Sequence, residues 1–80
     1  MRMALTADQV LDCSGMACPM PILKTRKAVD GLKVGQILKM IATDAGAPGD
    51  IVSWTQKTRH TLLASEQADG QYVFYIRKER

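Results

Sequence analysis

The chain has 80 residues, enough for a single domain (1–80) and too few for two. Its 46% hydrophobic and 24% charged residues are typical of a folded domain and exclude a disordered chain. The net charge of +3 is too weak to indicate nucleic-acid binding by itself, and no apolar run is long enough for a secretory signal or for the ~20 residues of a membrane span. We therefore expect a cytoplasmic protein whose two cysteines are free or catalytic.

The first predicted element is a short strand over Val10–Cys13. Leu11 and Cys13 share one face of this strand because side chains alternate with a period of two. A loop over residues 14–17 follows, in which Gly15 supplies backbone freedom. The loop leads directly to the second cysteine.

The sequence Cys18-Pro19-Met20-Pro21 predicts the start of the first helix. Proline suits the first helical position, so Pro19 is predicted there, Pro21 is predicted at the third position, and Cys18 is the predicted N-cap. The sulfur would then meet the Met20 amide and the positive end of the helix dipole. Such surroundings can lower a cysteine pKa to roughly 3.5–7.5 and favour the nucleophilic thiolate. The alternative, a small buried side chain, fits poorly between a loop and a proline-started helix.

The first helix is predicted to end at Asp30-Gly31, and apolar side chains line one of its sides. Met20 and Leu23 fall away from that side. Together with Met16 they predict a small adaptable patch for docking a partner, and the alternative is that one or two of them pack over the helix start. Arg26, Lys27 and Asp44 are further predicted docking residues. The alternative for Lys27 is a solvated charge, and the alternative for Asp44 is a residue that forms a turn or a helix cap.

The rest of the chain predicts a strand over Gly35–Thr43, a helix over Pro48–Arg59 and two paired strands, 61–66 and 72–77. In the second strand, Lys39 indicates that the opposite face, which carries Leu38, Met40 and Ala42, turns to the core.

Asp69-Gly70 between the last two strands is a strong hairpin signal. A two-residue turn there would place Leu63 opposite Ile76 and Ser65 opposite Phe74.

The order strand, helix, strand, helix, strand, strand predicts an α/β (α+β) two-layer sandwich. Two helices on one face of a four-stranded mixed sheet is the economical packing for this βαβαββ order. Trp54, Tyr72 and Phe74 are assigned to the core, because helical and strand spacing account for them.

Cys13 has three interpretations. It is most simply a buried thiol that fills a strand position, since it shares the face of Leu11. A second interpretation is a resolving thiol that forms a disulfide with Cys18. A metal site is the weakest, because the two cysteines have no second pair and His60 is the one histidine, so no metal is predicted.

With these elements in place, the chain resembles the small TusA/SirA-like sulfur-carrier family. The most specific match is the Cys-Pro-x-Pro tetrapeptide after a strand and before a helix, and the resemblance covers nearly the whole chain. The other matching pieces are Leu11-Asp12, Gly15, Arg26-Lys27, Ile41-Ala42, Asp44, Asp50-Ile51, Trp54, His60, Asp69-Gly70 and Tyr72 through Lys78. The chain departs from the family in having Ala45 where a proline often follows the aspartate, and in having Cys13 where alanine is common.

The resemblance implies a sulfurtransferase that carries sulfane sulfur as a persulfide on Cys18. It implies transient complexes of a monomer with a donor protein, either a cysteine desulfurase or a rhodanese, and with an acceptor protein. The relatives serve tRNA thiolation, cofactor biosynthesis or sulfur oxidation, and no cofactor, membrane or direct nucleic-acid partner is implied. Two other classes stay open: a nucleic-acid-binding or regulatory module, and a thiol redox sensor that uses Cys13 and Cys18.

Overall fold

The computed structural model describes residues 6–17 and 19–80, which form six elements around one mixed sheet. The elements are β1 (Gln9–Cys13), α1 (Met20–Asp30), β2 (Ile37–Ala42), α2 (Ala47–Thr58), β3 (Thr61–Ala68) and β4 (Gln71–Arg77). The four strands have the order β1-β2-β4-β3, and β1 is parallel to β2 while the other neighbours are antiparallel. The predicted α+β sandwich and its βαβαββ order are confirmed.

The core lies between the sheet and the two helices. On β2, Leu38, Met40 and Ala42 are fully buried, as the lysine on the other face predicted. Antiparallel pairing places Phe74 opposite Met40 and Ile76 opposite Leu38. Burying these apolar side chains removes their surface from water, which is the main favourable contribution to folding. The core residues contributed by the helices are Val29 of α1 and Ala47 and Ile51 of α2.

The β3–β4 hairpin turns at Asp69-Gly70, as predicted. Ala68 pairs with Gln71, and both turn residues have positive φ, 53° for Asp69 and 78° for Gly70. Positive φ at both central residues is typical of the tight turn whose twist matches that of the strands.

The predicted register of this hairpin is only half right. Ser65 does lie opposite Phe74, but Ile76 faces Leu62 rather than Leu63. The pairing shifts between Leu62 and Ala64, so one extra residue stands in β3 at that point. Counting back from the turn assumes a regular ladder, and a bulge breaks that count.

Several predicted element ends differ from the structure by one or two residues. β2 begins at Ile37 because Gly35, with φ of 92°, belongs to the preceding turn. α2 runs from Ala47 to Thr58, since Arg59 takes the left-handed conformation that ends the helix. β3 continues to Ala68 and β4 begins at Gln71, which leaves a hairpin turn of minimal length.

The backbone conformation of the hairpin turn can be tested by comparing two glycine-to-alanine substitutions. Gly70→Ala places a Cβ at positive φ, and we expect the free energy of unfolding to fall by about 1 kcal/mol. The matched control is Gly49→Ala within α2, where nothing lies within 4 Å of an added Cβ. That change should raise the free energy of unfolding by about 0.5–1 kcal/mol. Urea unfolding measures both, and a Gly70→Ala protein as stable as the parent would contradict the assigned turn.

Candidate functional site

Cys18 lies outside the described residues. The described surroundings of the predicted site are three segments: the loop after β1, the first turn of α1 and the loop between β2 and α2. Parallel pairing joins Cys13 to Ala42, the last residues of β1 and β2. The loops that follow both strands therefore leave the sheet from the same edge, where open α/β sheets commonly place functional residues.

The loop after β1 is held by three backbone amides. Ser14 N–H donates to Oδ1 of Asp12 at 2.9 Å, and Met16 N–H donates to the Cys13 carbonyl at 3.1 Å. Gly15 N–H donates across to Oγ1 of Thr43 at 2.8 Å. Gly15 has φ of 79°, which a residue with a side chain rarely adopts. The loop that leads to Cys18 is thus fastened to the end of β2.

The hydrogen bonds of Asp12 also have an electrostatic consequence. Both the amide and the hydroxyl of Ser14 bond its carboxylate, and these bonds lower the pKa of Asp12. The carboxylate is therefore ionised near neutral pH and acts as a fixed acceptor for the loop.

α1 begins one residue later than predicted. Its N-cap is Pro19, with φ of −97° and ψ of 14°, and Leu23 N–H donates to the Pro19 carbonyl at 3.2 Å. Pro21 is therefore the second helical residue rather than the third. The Met20 amide, predicted to face the sulfur, instead donates to the Ala17 carbonyl at 2.9 Å. The bond to Ala17 therefore uses the donor that was predicted for the sulfur.

The outer side of α1 carries the predicted docking residues. Met20 is 42% exposed and Leu23 is 50% exposed, and Arg26 and Lys27 are also exposed. Met16 differs, because it is half-buried and packs against the core. The structure therefore brings together an apolar and cationic surface on the first two turns of α1, while Met16 fills space beneath the loop.

Asp44 acts as a turn former in the β2–α2 loop. Its Oδ2 accepts the Gly46 N–H at 2.9 Å, and its carbonyl accepts the Ala47 N–H at 3.1 Å. The N-cap of α2 is Gly46, so Asp44 stands two residues before the cap. The side chain is half-buried and committed to this turn.

Cys13 is fully buried at the end of β1. Burial raises the pKa of its thiol, the Asp12 carboxylate raises it further, and Lys24 offsets part of that effect. A thiol that is inaccessible and protonated is a poor nucleophile. This environment agrees with the first of the three interpretations of Cys13 and disfavours a resolving or redox-sensing role.

A groove of about 270 Å³ separates the start of α1 from α2. Pro19 and Ile22 line it on one side and Trp54 on the other, so it opens beside the residue that follows Cys18. Its remaining lining residues are Asp50, Ser53 and Lys57.

His60 lies apart from this site. Its Nδ1 accepts the Glu79 N–H at 3.1 Å, and its ring lies 5.5 Å from that of Trp54. Burial and the nearby charges of Lys78 and Arg80 lower the pKa of His60. A neutral imidazole that accepts a backbone hydrogen bond is a structural residue here.

Among residues 6–17 and 19–80, no group of three or more His, Cys, Asp or Glu side chains could hold a metal ion. Neither α1 nor α2 is long and apolar enough to cross a membrane.

The family model described as sulfurtransferase TusA matches residues 9–78, from the first residue of β1 to just beyond β4. The chain belongs to the TusA family. The matched range includes the Cys-Pro-x-Pro sequence and every helix and strand.

Individual relatives agree with this assignment to the TusA family. A putative sulfur carrier protein of Bacillus subtilis, YrkI, is 43% identical over 92% of this chain and 99% of its own length. The sulfur carrier protein TusA of Allochromatium vinosum is 39% identical over 89% of this chain and 93% of its own. Two other putative sulfur carriers are longer, and the chain spans only 36% and 40% of their lengths.

The fold also matches a solved structure. The crystal structure of a SirA-like protein from Desulfitobacterium hafniense has a TM-score of 0.79 and covers 90% of this chain and 99% of the other. Its sequence is 16% identical, so this likeness concerns the fold alone.

Sequence reasoning missed Thr43 as a residue of the site. Nothing in a single threonine at a strand end predicts that its hydroxyl accepts a backbone hydrogen bond from a distant loop. The available signal was the parallel pairing of β1 and β2, which brings the residues after both strands together.

The role of Thr43 can be tested by Thr43→Val, which keeps the shape and removes the hydroxyl. We expect hydrogen exchange of the Gly15 amide to accelerate about fivefold, since a net hydrogen bond is worth about 1 kcal/mol. The Met16 amide, whose acceptor is unchanged, is the internal control, and Thr43→Ser should exchange as the parent does. Equal exchange at Gly15 in the parent and the Thr43→Val protein would show that this bond does not hold the loop.

Proposed function

We propose that this protein is a sulfur carrier that accepts sulfane sulfur as a persulfide on Cys18 and passes it to an acceptor protein. The observation that carries the proposal is the TusA family match over residues 9–78, which includes Cys18 in its Cys-Pro-x-Pro sequence. The buried and protonated state of Cys13 supports it, because Cys18 is the other cysteine of the chain. We place the exchange in the cytoplasm, where thiols stay reduced.

The transfer needs no cofactor and no net oxidation. The Cys18 thiolate attacks the terminal sulfur of a donor persulfide, the sulfur–sulfur bond of the donor breaks, and the donor leaves as a thiolate. Cys18 then carries the terminal sulfur with its proton. In the second step an acceptor thiolate attacks that terminal sulfur, and Cys18 leaves as a thiolate. Each step forms one sulfur–sulfur bond and breaks one.

The surroundings of Cys18 suit a relay rather than a stand-alone enzyme. The loop before it is held by Asp12 and Thr43, and the residue after it, Pro19, is the N-cap of α1. Ordered segments on both sides of Cys18 contribute little ordering cost of their own when a partner docks. The donor and acceptor proteins supply the rest of the chemistry.

Docking is assigned to the outer side of α1. We define the docking face as Met20, Leu23 and Arg26, which are exposed and lie in the first two turns of α1. An exposed methionine and leucine beside a cation combine an adaptable apolar contact with a charge that can orient a partner. Lys27 borders this face, whereas Met16 and Asp44 are engaged inside the fold.

Sulfur loading is tested by intact-mass analysis after incubation with a cysteine desulfurase and cysteine. We expect a mass increase of one sulfur atom on the parent protein, and removal of that atom by a reductant. Cys13→Ser should load to the same extent, because Cys13 is buried, and Cys18→Ser should not load. Loading that persists in Cys18→Ser, or disappears in Cys13→Ser, would contradict the assignment of the thiol.

The docking face is tested by the double variant Leu23→Asp with Arg26→Glu. We expect the rate of sulfur uptake at low protein concentration to fall roughly tenfold, because an apolar contact and a charge are both reversed. The matched control is Val34→Asp with Lys33→Glu, which makes the same changes at exposed positions beyond the other end of α1. Circular dichroism checks that both proteins are folded, and equal uptake by the two would exclude this face.

A further inference from the structure

One long side of β1 has no neighbouring strand in the part of the chain that the structure describes. The strand order places β1 and β3 at the two edges of the sheet. β3 contains a bulge and has the polar residues Ser65, Glu66 and Gln67 in its second half, and a bulge and a charged side chain both discourage further pairing. β1 pairs with β2 in regular register over all five of its residues and contains no proline, lysine or bulge. β1 is therefore the edge suited to accept another strand.

A groove of about 310 Å³ runs beside this edge, between β1 and α1. Leu11 and Ala28 are half-buried and form its apolar floor. Lys24 and Lys27 are exposed and stand over it from α1. The remaining lining residues are Gln9 and Gly31.

The two lysines give the groove a positive charge. They are three residues apart on α1, so they are neighbours on the helix surface. Neither lysine forms a salt bridge among residues 6–17 and 19–80. Two like charges placed together favour an anionic partner.

We propose that the outer edge of β1 and this groove bind an extended acidic segment of a partner protein, which adds to the sheet as a further strand. Such a strand would lie ~4.8 Å from β1, and alternate side chains would point toward α1. A glutamate in those positions covers the apolar floor with its methylene groups and brings its carboxylate to Lys24 or Lys27. The backbone hydrogen bonds supply affinity, and the lysines select an acidic segment.

This site is separate from the sulfur chemistry. Lys24 and Ala28 lie on the side of α1 that faces β1, whereas Ile22 lines the groove toward α2. Binding at β1 should therefore not depend on the thiol, and Cys18→Ser should bind as the parent does. Loss of peptide binding and loss of sulfur loading can thus be told apart.

The test uses a synthetic peptide of seven alternating valine and glutamate residues, with a valine and lysine peptide as the control probe. Nuclear magnetic resonance titration should show shifts at Gln9–Cys13 and along the side of α1 that faces β1, and slower hydrogen exchange of β1 amides. The lysine peptide should cause neither change. Raising the salt concentration should weaken binding, because the lysines are exposed.

Two double variants distinguish an effect of charge within the groove from an effect of the protein's net charge. Lys24→Glu with Lys27→Glu should raise the dissociation constant roughly tenfold or more. Lys33→Glu with Lys57→Glu makes the same change in net charge outside the groove and should leave the constant within about twofold of the parent. Equal effects of the two double variants would overturn the proposal.

Three other results would also overturn it. Shifts without protection of β1 amides would mean that the lysines attract any anion and no strand is added. Binding that appears only after deletion of residues 1–5 would mean that this chain's own N-terminal segment occupies the edge. Protection of β1 that depends on protein concentration in the absence of peptide would identify a second copy of the chain as the occupant.

Discussion

The parallel pairing of β1 with β2 is the constraint on which the candidate site depends. It sets the last residues of the two strands side by side, so the loops that follow them meet. The hydrogen bond from Gly15 to Thr43 then joins these loops. Without that pairing the loop before Cys18 would keep its local hydrogen bonds but lose its link to the end of β2. The core stabilises the pairing, because Leu38 and Met40 of β2 are fully buried beneath the helices.

The two cysteines of the chain occupy positions of different chemical character. Cys13 ends a strand within the core, where burial keeps its thiol protonated. Cys18 falls in the sequence between an anchored loop and the N-cap of α1. A carrier needs one thiol to react and gains from keeping any second thiol away from the exchange, since a nearby reactive thiol could remove the sulfur by forming a disulfide.

Much of the fold could be predicted from the sequence, because its signals are local. The alternation around Lys39 assigned the buried face of β2, and Asp69-Gly70 located the hairpin. The bulge after Leu62 could not be predicted, since an extra residue in a strand leaves no mark in a short apolar run. The helix start was also misplaced by one residue, because proline is commonest at the first helical position, whereas Pro19 here is the N-cap and Pro21 is the second helical residue.

The site was less accessible to sequence reasoning than the fold. The exposure of Met20 and Leu23 follows from helical spacing. The contact of Thr43 with Gly15, the half-buried position of Met16 and the groove beside β1 depend on how distant segments pack. The proposed role of Cys18 rests on the motif and on the family to which the chain belongs, and neither describes the surroundings of this residue.

The central claim is that Cys18 holds a transferable sulfur. The most direct measurement is treatment with cyanide of protein that has been exposed to a sulfur donor and then purified, because cyanide removes terminal sulfane sulfur as thiocyanate. The account predicts about one thiocyanate per chain from the parent and from Cys13→Ser, and none from Cys18→Ser. Thiocyanate released equally by Cys18→Ser, or none released by the parent, would contradict it.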